Sequence, residues 1–534
     1  MGRRRGRTRA RLGAYQDTMR RSFFCCILAL AACVIVGACT ASAQTSASPF
    51  YVVEVTAPSE EALHALVEMP FITDNVAGLT ARLYLDEEQY AQVRAMGYPL
   101  RLLETQPDPL TGEKATGYIT YDEIGPLLTG YAAAYPGLCR VGSLGQSVLG
   151  RELWVIMITL DPDVPADKPG VKYVSTLHGD EIVGTHLCLK FAEELLTGYA
   201  GNAYIQDLLG RTIFWLVPLA NPDGYVNVTR VNANNWDINR SFPTYGMDFT
   251  GTWYDTGVLG DDGRQPEVAH LMRWDAEVHA ALSANFHCGA LVANYPYDYE
   301  PGISSGAEAI CPDDDVFRYI SLEYSRNNPP MYASYYFDQG ITNGSQWYSI
   351  TGGMMDWNYR YMGCPEVTME ISSVKRPNAS ALPQLWEDNR NSMFSYAETA
   401  HIGIRGLVRD RNDGSALWAK VLVTGRDQPV FSNPEVGNYH RLLLPGTYDL
   451  EASSEGYITF SVDAVPVEEG PATRINLALS DGDINNSGFA DDADVQGEVD
   501  ALLGRPTSLD TDVNGRGTDV TDLQAVINRT YPSL

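Results

Sequence analysis

The chain has 534 residues, too many for one ordinary hydrophobic core. Its 45% hydrophobic and 20% charged residues match a folded globular protein, not a collagenous, disordered or multi-span membrane one. With 67 acidic against 38 basic residues the formal net charge is -29. That excludes a nucleic-acid partner, since phosphate binding needs clustered Lys and Arg.

In chain order, residues 1–43 read as an export signal, with Arg-rich residues through Arg21, an apolar run from Phe23 to Val36, and then small residues. The run is too short for a comfortable membrane span. Two processing sites compete: Ala41-Ser42-Ala43 resembles a signal-peptidase site, and Val36-Gly37-Ala38-Cys39 a bacterial lipobox. The expectation is a secreted or extracytoplasmic protein, anchored to a membrane only if Cys39 carries lipid; Met19 offers an alternative start. Of nine cysteines, Cys139, Cys188, Cys288, Cys311 and Cys364 lie beyond the leader. Five is odd, so one or two bridges and a free buried thiol are expected.

Residues 50–104 alternate as two strands (50–56 and 79–85) and two helices (59–68 and 87–96), an α+β unit of prodomain size. Its role stays open between inhibitory prosegment, folding aid and accessory domain. A linker over 105–117 follows. Residues 118–401 interleave apolar strand runs (152–159, 171–177, 212–218) with amphipathic helices such as 183–197, which predicts an α/β fold with a mixed sheet flanked by helices. Short strands separated by turn residues over 402–479, including 441–444 and 457–462, predict a β-sandwich. Residues 481–534 carry two Asp/Asn/Gly-rich segments, a crude repeat that reads as a calcium-loop helical tail.

Within the α/β segment, His178-Gly179-Asp180-Glu181 stands where a predicted strand gives way to a helix. Imidazole and carboxylate are good zinc ligands, and a catalytic zinc needs a third protein ligand. His287, at the end of the predicted strand 282–286, is the best remaining candidate.

Further ordered runs are Asn221-Pro222-Asp223-Gly224-Tyr225, residues 230–243 (RVNANNWDINRSFP), Ser283-Ala284-Asn285-Phe286-His287, Ala293-Asn294-Tyr295-Pro296-Tyr297-Asp298, Ile341-Thr342-Asn343-Gly344, Gly352-Gly353-Met354-Met355-Asp356-Trp357-Asn358-Tyr359 and Glu366-Val367-Thr368-Met369-Glu370. In these runs the chain resembles the zinc metallocarboxypeptidases, and among them the regulatory branch that includes carboxypeptidases D, E and N, from Tyr118 through Leu479. The resemblance implies one catalytic zinc on His178, Glu181 and His287, and hydrolysis of the C-terminal peptide bond by zinc-activated water to release single amino acids. It implies Glu370 as general base and Arg230 as the group that polarises the scissile carbonyl. It further implies Arg240 with Asn239 as binders of the substrate's terminal carboxylate, and Tyr348 as a mobile tyrosine closing over it.

Asp298, eleven residues after His287, matches the acidic residue that helps to hold a C-terminal Lys or Arg. The resemblance therefore implies release of Lys or Arg, while Met355, in place of the Gln usual in that branch, removes a polar contact and leaves hydrophobic residues, or Lys over Arg, as the alternatives. Cys288 replaces the usual Gly after the third ligand. The substrates implied are peptide or protein C-termini; alternatives are a catalytically silent peptide-binding module and a zinc hydrolase acting on cell-wall peptides.

Residues 402–479 resemble the transthyretin-like domain of the same branch. The tail resembles a dockerin, with Asp483, Asn485, Ser487, Asp491 and Asp494 at calcium-loop positions 1, 3, 5, 9 and 12 and Phe489 able to offer a carbonyl. Asp512, Asn514 and Asp522 form a poorer second loop, in which Arg516 takes a ligand position. A dockerin implies a protein partner with a cohesin-like domain.

Overall fold

The computed structural model describes residues 51–69, 71–105, 117–248, 259–487, 490–505, 509 and 511–530. The export signal with Cys39, most of the predicted linker, and Phe489 lie outside the described residues.

The N-terminal unit is a four-stranded antiparallel sheet in the order β2-β3-β1-β4, from β1 (Tyr51–Thr56), β2 (Ile72–Ala77), β3 (Thr80–Leu85) and β4 (Leu100–Thr105). Two helices cover it. In α1 (Glu60–Val67) the Ser59 hydroxyl accepts the Ala62 N–H, and in α2 (Glu87–Ala95) Asp86 and Gln89 form a reciprocal capping box. Their apolar faces and the inward residues Val53, Val55, Leu83 and Leu85 make one core, against which Trp347 and Ile350 also pack. The two helices and strands expected from sequence are present within one or two residues; β2 and β4 were not expected.

The central sheet has eight strands: β5 (Cys139–Gln146), β6 (Glu152–Ile158), β7 (Gly170–Ser175), β8 (Ile213–Val217), β9 (Leu282–His287), β10 (Leu291–Tyr295), β11 (Ile341–Asn343) and β12 (Glu366–Ile371). Their order is β11-β10-β12-β9-β7-β8-β6-β5, with parallel pairing among β12, β9, β7 and β8 and antiparallel pairs flanking them. This is the mixed α/β sheet expected from the alternation of strand and helix patterns.

Strand alternation gives the sheet two unlike faces. One presents Tyr173, Phe286, Val367 and Met369 to the helices Val183–Gly198, Asp314–Ser325 and Leu382–Glu398 in a large apolar core. The other, covered by the helices Pro266–Val278 and Met354–Met362, carries polar residues in register. Lys172, Ser283 and Glu366 lie in one row, Asn285, Thr368 and Asn294 in the next, and His287 with Glu370 in the last. Buried polar groups need partners. Lys172 pairs with Asp275, and Glu366 accepts from Ser283, Asn285 and Asn358.

Residues 404–479 form two further four-stranded sheets around one apolar core, as the turn spacing predicted. The strand expected at 441–444 lies at Asn438–Arg441, and that at 457–462 at Phe460–Val467. A buried ion pair between Arg441 (2.7 Å) and Asp313 joins these sheets to the unit built on the eight-stranded sheet, and Arg426 binds the same carboxylate at 3.0 Å.

The tail helices Asp492–Leu502 and Val520–Thr530 pack on each other. The tail is tied to the preceding sheets by Arg411 donating to the Asp512 carbonyl (2.9 Å) and Ser461 N–H to that of Asn514 (2.8 Å). Among the described residues no helix is long and apolar enough to cross a membrane. The five described cysteines are all free and buried, which corrects the expectation of bridges: Cys139 lies on β5, Cys188 on the helix Val183–Gly198, and Cys288, Cys311 and Cys364 in three separate connections.

Candidate active site

The site forms beyond the ends of β7, β9 and β12. After β7 the chain turns through Thr176 (φ 57°), whose hydroxyl contacts the Thr185 hydroxyl at 2.8 Å and donates to the Glu181 carbonyl at 3.1 Å. The turn carries His178 and Glu181 in front of the helix Val183–Gly198. Gly179 within it has no room for a side chain, since a Cβ there would stand 2.0 Å from the Gly224 carbonyl carbon. Asn221 fixes the opposing loop, donating to the carbonyls of Leu177 (3.1 Å) and Arg230 (3.3 Å).

His178 Nδ1 lies 2.9 Å from Glu181 Oε1 and 3.0 Å from His287 Nδ1, which lies 2.9 Å from Glu181 Oε2. All three side chains are buried. Two imidazole nitrogens and a carboxylate facing one point suit a cation, and these separations approach the ~3.3 Å between ligands of a tetrahedral zinc. Among the described residues this is the group of three His, Cys, Asp or Glu side chains gathered so closely. His178 turns its other nitrogen, Nε2, to Asp237 Oδ1 at 3.1 Å, a contact that orients the ring. Burial works against the charged form of His178, but Glu181 and Asp237 outweigh it and raise its pKa, whereas burial holds His287 down to about 4. Glu181 stays well below the usual carboxylate range despite burial, through His178, Lys375 and His287.

Glu370 stands opposite His287 in the β12–β9 register. Burial, with the charges of Glu181 and Asp74, pushes its pKa well up, and its Oε2 has no hydrogen-bond partner among the described residues. Arg230 is buried, donating to Asp237 Oδ2 (2.9 Å), Glu181 Oε1 (3.3 Å) and Asp74 Oδ1 (2.6 Å). Asn239 lies 3.4 Å from His287 Nε2 and accepts the Met354 N–H, which joins Arg240's loop to the helix Met354–Met362. Asp298, 3% exposed, accepts from Asn294 at 2.9 Å, and burial lifts its pKa to about 6. Met355 is buried, its sulfur 3.7 Å from the Thr368 hydroxyl. The ten residues expected in the catalytic site thus converge on one cleft.

The N-terminal unit fills that cleft. From β2, the Asp74 carboxylate binds Arg230 and Lys375, the Thr73 carbonyl accepts from Arg240 (3.0 Å), and the Asp74 carbonyl accepts from the Tyr348 hydroxyl (3.1 Å). Around these, Asn75 donates to the Gly289 carbonyl (3.0 Å), Trp347 to the Val76 carbonyl (3.0 Å), and Tyr84 to Asp180 Oδ2 (2.7 Å). Lys375 also reaches Glu181 Oε1 (3.2 Å) and Asp180 (3.4 Å).

Sequence reasoning missed Asp237, Lys375 and Asp74. Asp237 lies inside the 230–243 run and Lys375 five residues after Glu370, so both had a positional signal; Asp74 had none. Cys288 forms no bridge, and its backbone N–H donates to Glu181 Oε2 at 3.0 Å.

The tail residues form a separate cluster. Asp494 accepts the N–H groups of Asn485 and Asp491, and Asp522 those of Val513, Asn514 and Asp519, so the two segments repeat one turn design with a residue fewer in the second.

The sequence profile of the family described as zinc carboxypeptidase matches residues 126–392. Carboxypeptidase D of Mus musculus is 38% identical over 378 residues, 67% of this chain; the match spans only 26% of that protein's length. Carboxypeptidase SOL1 of Arabidopsis thaliana is 38% identical over 361 residues (67% of this chain, 72% of that protein), and the carboxypeptidase N catalytic chain of Homo sapiens 35% over 393 (67% and 85%). Among solved structures, the carboxypeptidase A from Helicoverpa armigera shares the fold with a TM-score of 0.50 at 20% identity, covering 65% of this chain and 97% of that one. This chain belongs to the zinc carboxypeptidase family.

Proposed function

We propose that the protein is an exported metallocarboxypeptidase that releases single C-terminal residues, Lys or Arg by preference, and that its N-terminal unit holds it latent. The observation that carries the catalytic reading is the convergence of the His178–Glu181–His287 triad with Arg230, Arg240 and Glu370 in one cleft. A zinc ion bound by the triad supplies the Lewis acidity that makes water nucleophilic near neutral pH.

The chain's own groups do the rest. Arg240, with the Asn239 amide, binds the free carboxylate, which selects the last residue over internal bonds. Arg230 is held by Asp237 in position to stabilise negative charge developing on the scissile carbonyl oxygen. Glu370, facing His287 across the β12–β9 register, accepts a proton from the attacking water and returns it to the leaving amine. Tyr348 closes over the bound end.

Latency is supported by the contacts from β2: Arg230, Arg240 and Tyr348 are already engaged by the Asp74 carboxylate, the Thr73 carbonyl and the Asp74 carbonyl. A substrate needs the same donors. Two readings rest on resemblance: a transthyretin-like structural role for residues 402–479, and a dockerin-like tail holding calcium at Asp483, Asn485, Ser487, Asp491 and Asp494 for a cohesin-like partner. Calcium titration followed by unfolding tests the second.

The test is incubation of the purified chain, as made and after release of the N-terminal unit by limited proteolysis, with matched peptides ending in Lys, Arg, Phe or an amide, with and without chelator. Chelator-sensitive release from carboxylate-terminated peptides supports the reading. A zinc-loaded, proteolysed protein that binds these peptides without cleaving them favours a silent binding module, and cleavage confined to cell-wall peptides favours the alternative hydrolase.

A further inference from the structure

Two positive side chains press on the carboxylate of the metal triad. Glu181 Oε1 lies 3.3 Å from Arg230 Nη1 and 3.2 Å from Lys375 Nζ; Arg230 is buried and the Lys375 side chain only 11% exposed. A cation this close to a ligand oxygen opposes a metal ion bound to it, and burial strengthens the opposition.

The N-terminal unit brings the counter-charge. Asp74 Oδ1 accepts from the same two groups, Arg230 Nη1 at 2.6 Å and Lys375 Nζ, and the Tyr84 hydroxyl oxygen accepts from Lys375 at 3.2 Å. Asp74 Oδ2 is buried and makes no hydrogen bond among the described residues, with Arg82 3.9 Å away. Asp74 is thus joined to Glu181 by two routes, each through one cation, and it places a negative charge in the dry surroundings of a dication site. With the unit undocked, Arg230 keeps Asp237, whereas Lys375 keeps only Asp180 and the metal ligand Glu181 of the partners described here.

We propose that docking of the N-terminal unit and zinc binding at His178, Glu181 and His287 strengthen each other, with Asp74 as the coupling group and Lys375 as the positioning residue whose charge it offsets. The proposal rests on the latency reading above and adds that the latent form is the tighter metal holder. Linkage is reciprocal: the factor by which docking raises zinc affinity is the factor by which zinc favours the docked arrangement. Removing zinc loosens the unit, and removing the unit loosens zinc.

The test is zinc affinity by competition with a chromophoric chelator, for the full chain, the chain freed of its N-terminal unit by limited proteolysis, Asp74→Ala, Lys375→Met and the double variant. The freed chain and Asp74→Ala should each bind zinc about 10- to 100-fold more weakly than the parent, and Lys375→Met more tightly. In the double variant the loss due to Asp74→Ala should shrink, because the cation it offset is gone. General damage to the site lowers affinity in every variant, so a rise in Lys375→Met identifies a charge effect; Lys375→Arg should keep the parent affinity. In the reciprocal arm, hydrogen exchange at the β2 amides should slow on zinc loading in the parent and much less in Asp74→Ala. Equal zinc affinity in the full and freed chains overturns the proposal, even where the freed chain is the more active and latency stands. A freed chain no more active than the parent at saturating zinc sinks the latency reading instead.

Discussion

Replacing Asp74 by Ala should release activity, and the contacts set the scale. The Asp74 carboxylate is 1% exposed and bonds Arg230 and Lys375, and losing a buried charged pair costs about 3–5 kcal/mol when a charge is stranded. Here neither cation is stranded: Arg230 keeps Asp237 and Glu181, and Lys375 keeps Asp180 and Glu181. The closed arrangement should therefore weaken by about 2–3 kcal/mol, which shifts closed against open by about 30- to 150-fold. The backbone contacts of Thr73, Asp74 and Val76 survive the change, so the unit stays attached. The assay is the initial rate of amino-acid release by the zinc-loaded full chain at low substrate, compared with the exposed-site control Glu87→Ala. A rate rise of that order for Asp74→Ala alone is expected. A parent as fast as the variant, or a zinc-loaded variant as silent as the parent, refutes the reasoning.

Glu370→Gln should lower kcat about 10²- to 10⁴-fold while zinc content by atomic absorption stays at one per chain, because in the proposed mechanism the side chain carries the water's proton and is not one of the metal ligands. Burial raises the Glu366 carboxyl to about 7 against the pull of Lys172, so between its ordinary 4.5 and 7 the native chain keeps a proton that the unfolded chain has lost. Stability from this group is complete below pH 4.5 and falls as pH rises to 7, by about 3 kcal/mol, and Glu366→Gln should flatten that slope in urea titrations across the window. Asp313→Ala leaves Arg441 buried without its carboxylate and should cost about 3–5 kcal/mol, read as a lower urea midpoint; an unchanged midpoint would show that the ion pair does not hold the sheets together.

The strands beneath the site were legible because each is a short apolar run: β6, β7 and β8 lie within two residues of their expected bounds. His178 and Glu181 were legible by chemistry, and His287 by its place at a strand end. Strand β2 was not. Its sequence, Ile72-Thr73-Asp74-Asn75-Val76-Ala77, centres on Asp-Asn, residues that favour turns, and it is extended because β3 pairs with it from Ile72↔Tyr84 to Ala77↔Thr80. No local pattern could mark Asp74, since its partners lie 156 and 301 residues away. Tyr348, expected as a mobile closing group, is only 8% exposed because its ring packs in the core of the N-terminal unit while its hydroxyl donates to the Asp74 carbonyl. The cysteine parity argument failed because a count carries no information about which thiols meet.

The helix Met354–Met362 begins beside Asn239, at the proposed substrate pocket, and ends against the C-terminal sheets. There Gln428 donates to the Tyr359 carbonyl at 2.7 Å, and Gly363, with φ 64°, lets the chain pass the Pro429 carbonyl. The Tyr359 hydroxyl in turn donates to Asp313, the carboxylate that Arg441 and Arg426 share. Nine residues make a rod of about 13 Å. Clamped at its far end and carrying Met355 in its first turn, that rod acts as a lever: a shift of the sheets at Gln428 or Arg441 would be delivered to the pocket wall. Selectivity should then respond to substitutions at that clamp, a full helix length away from any substrate atom.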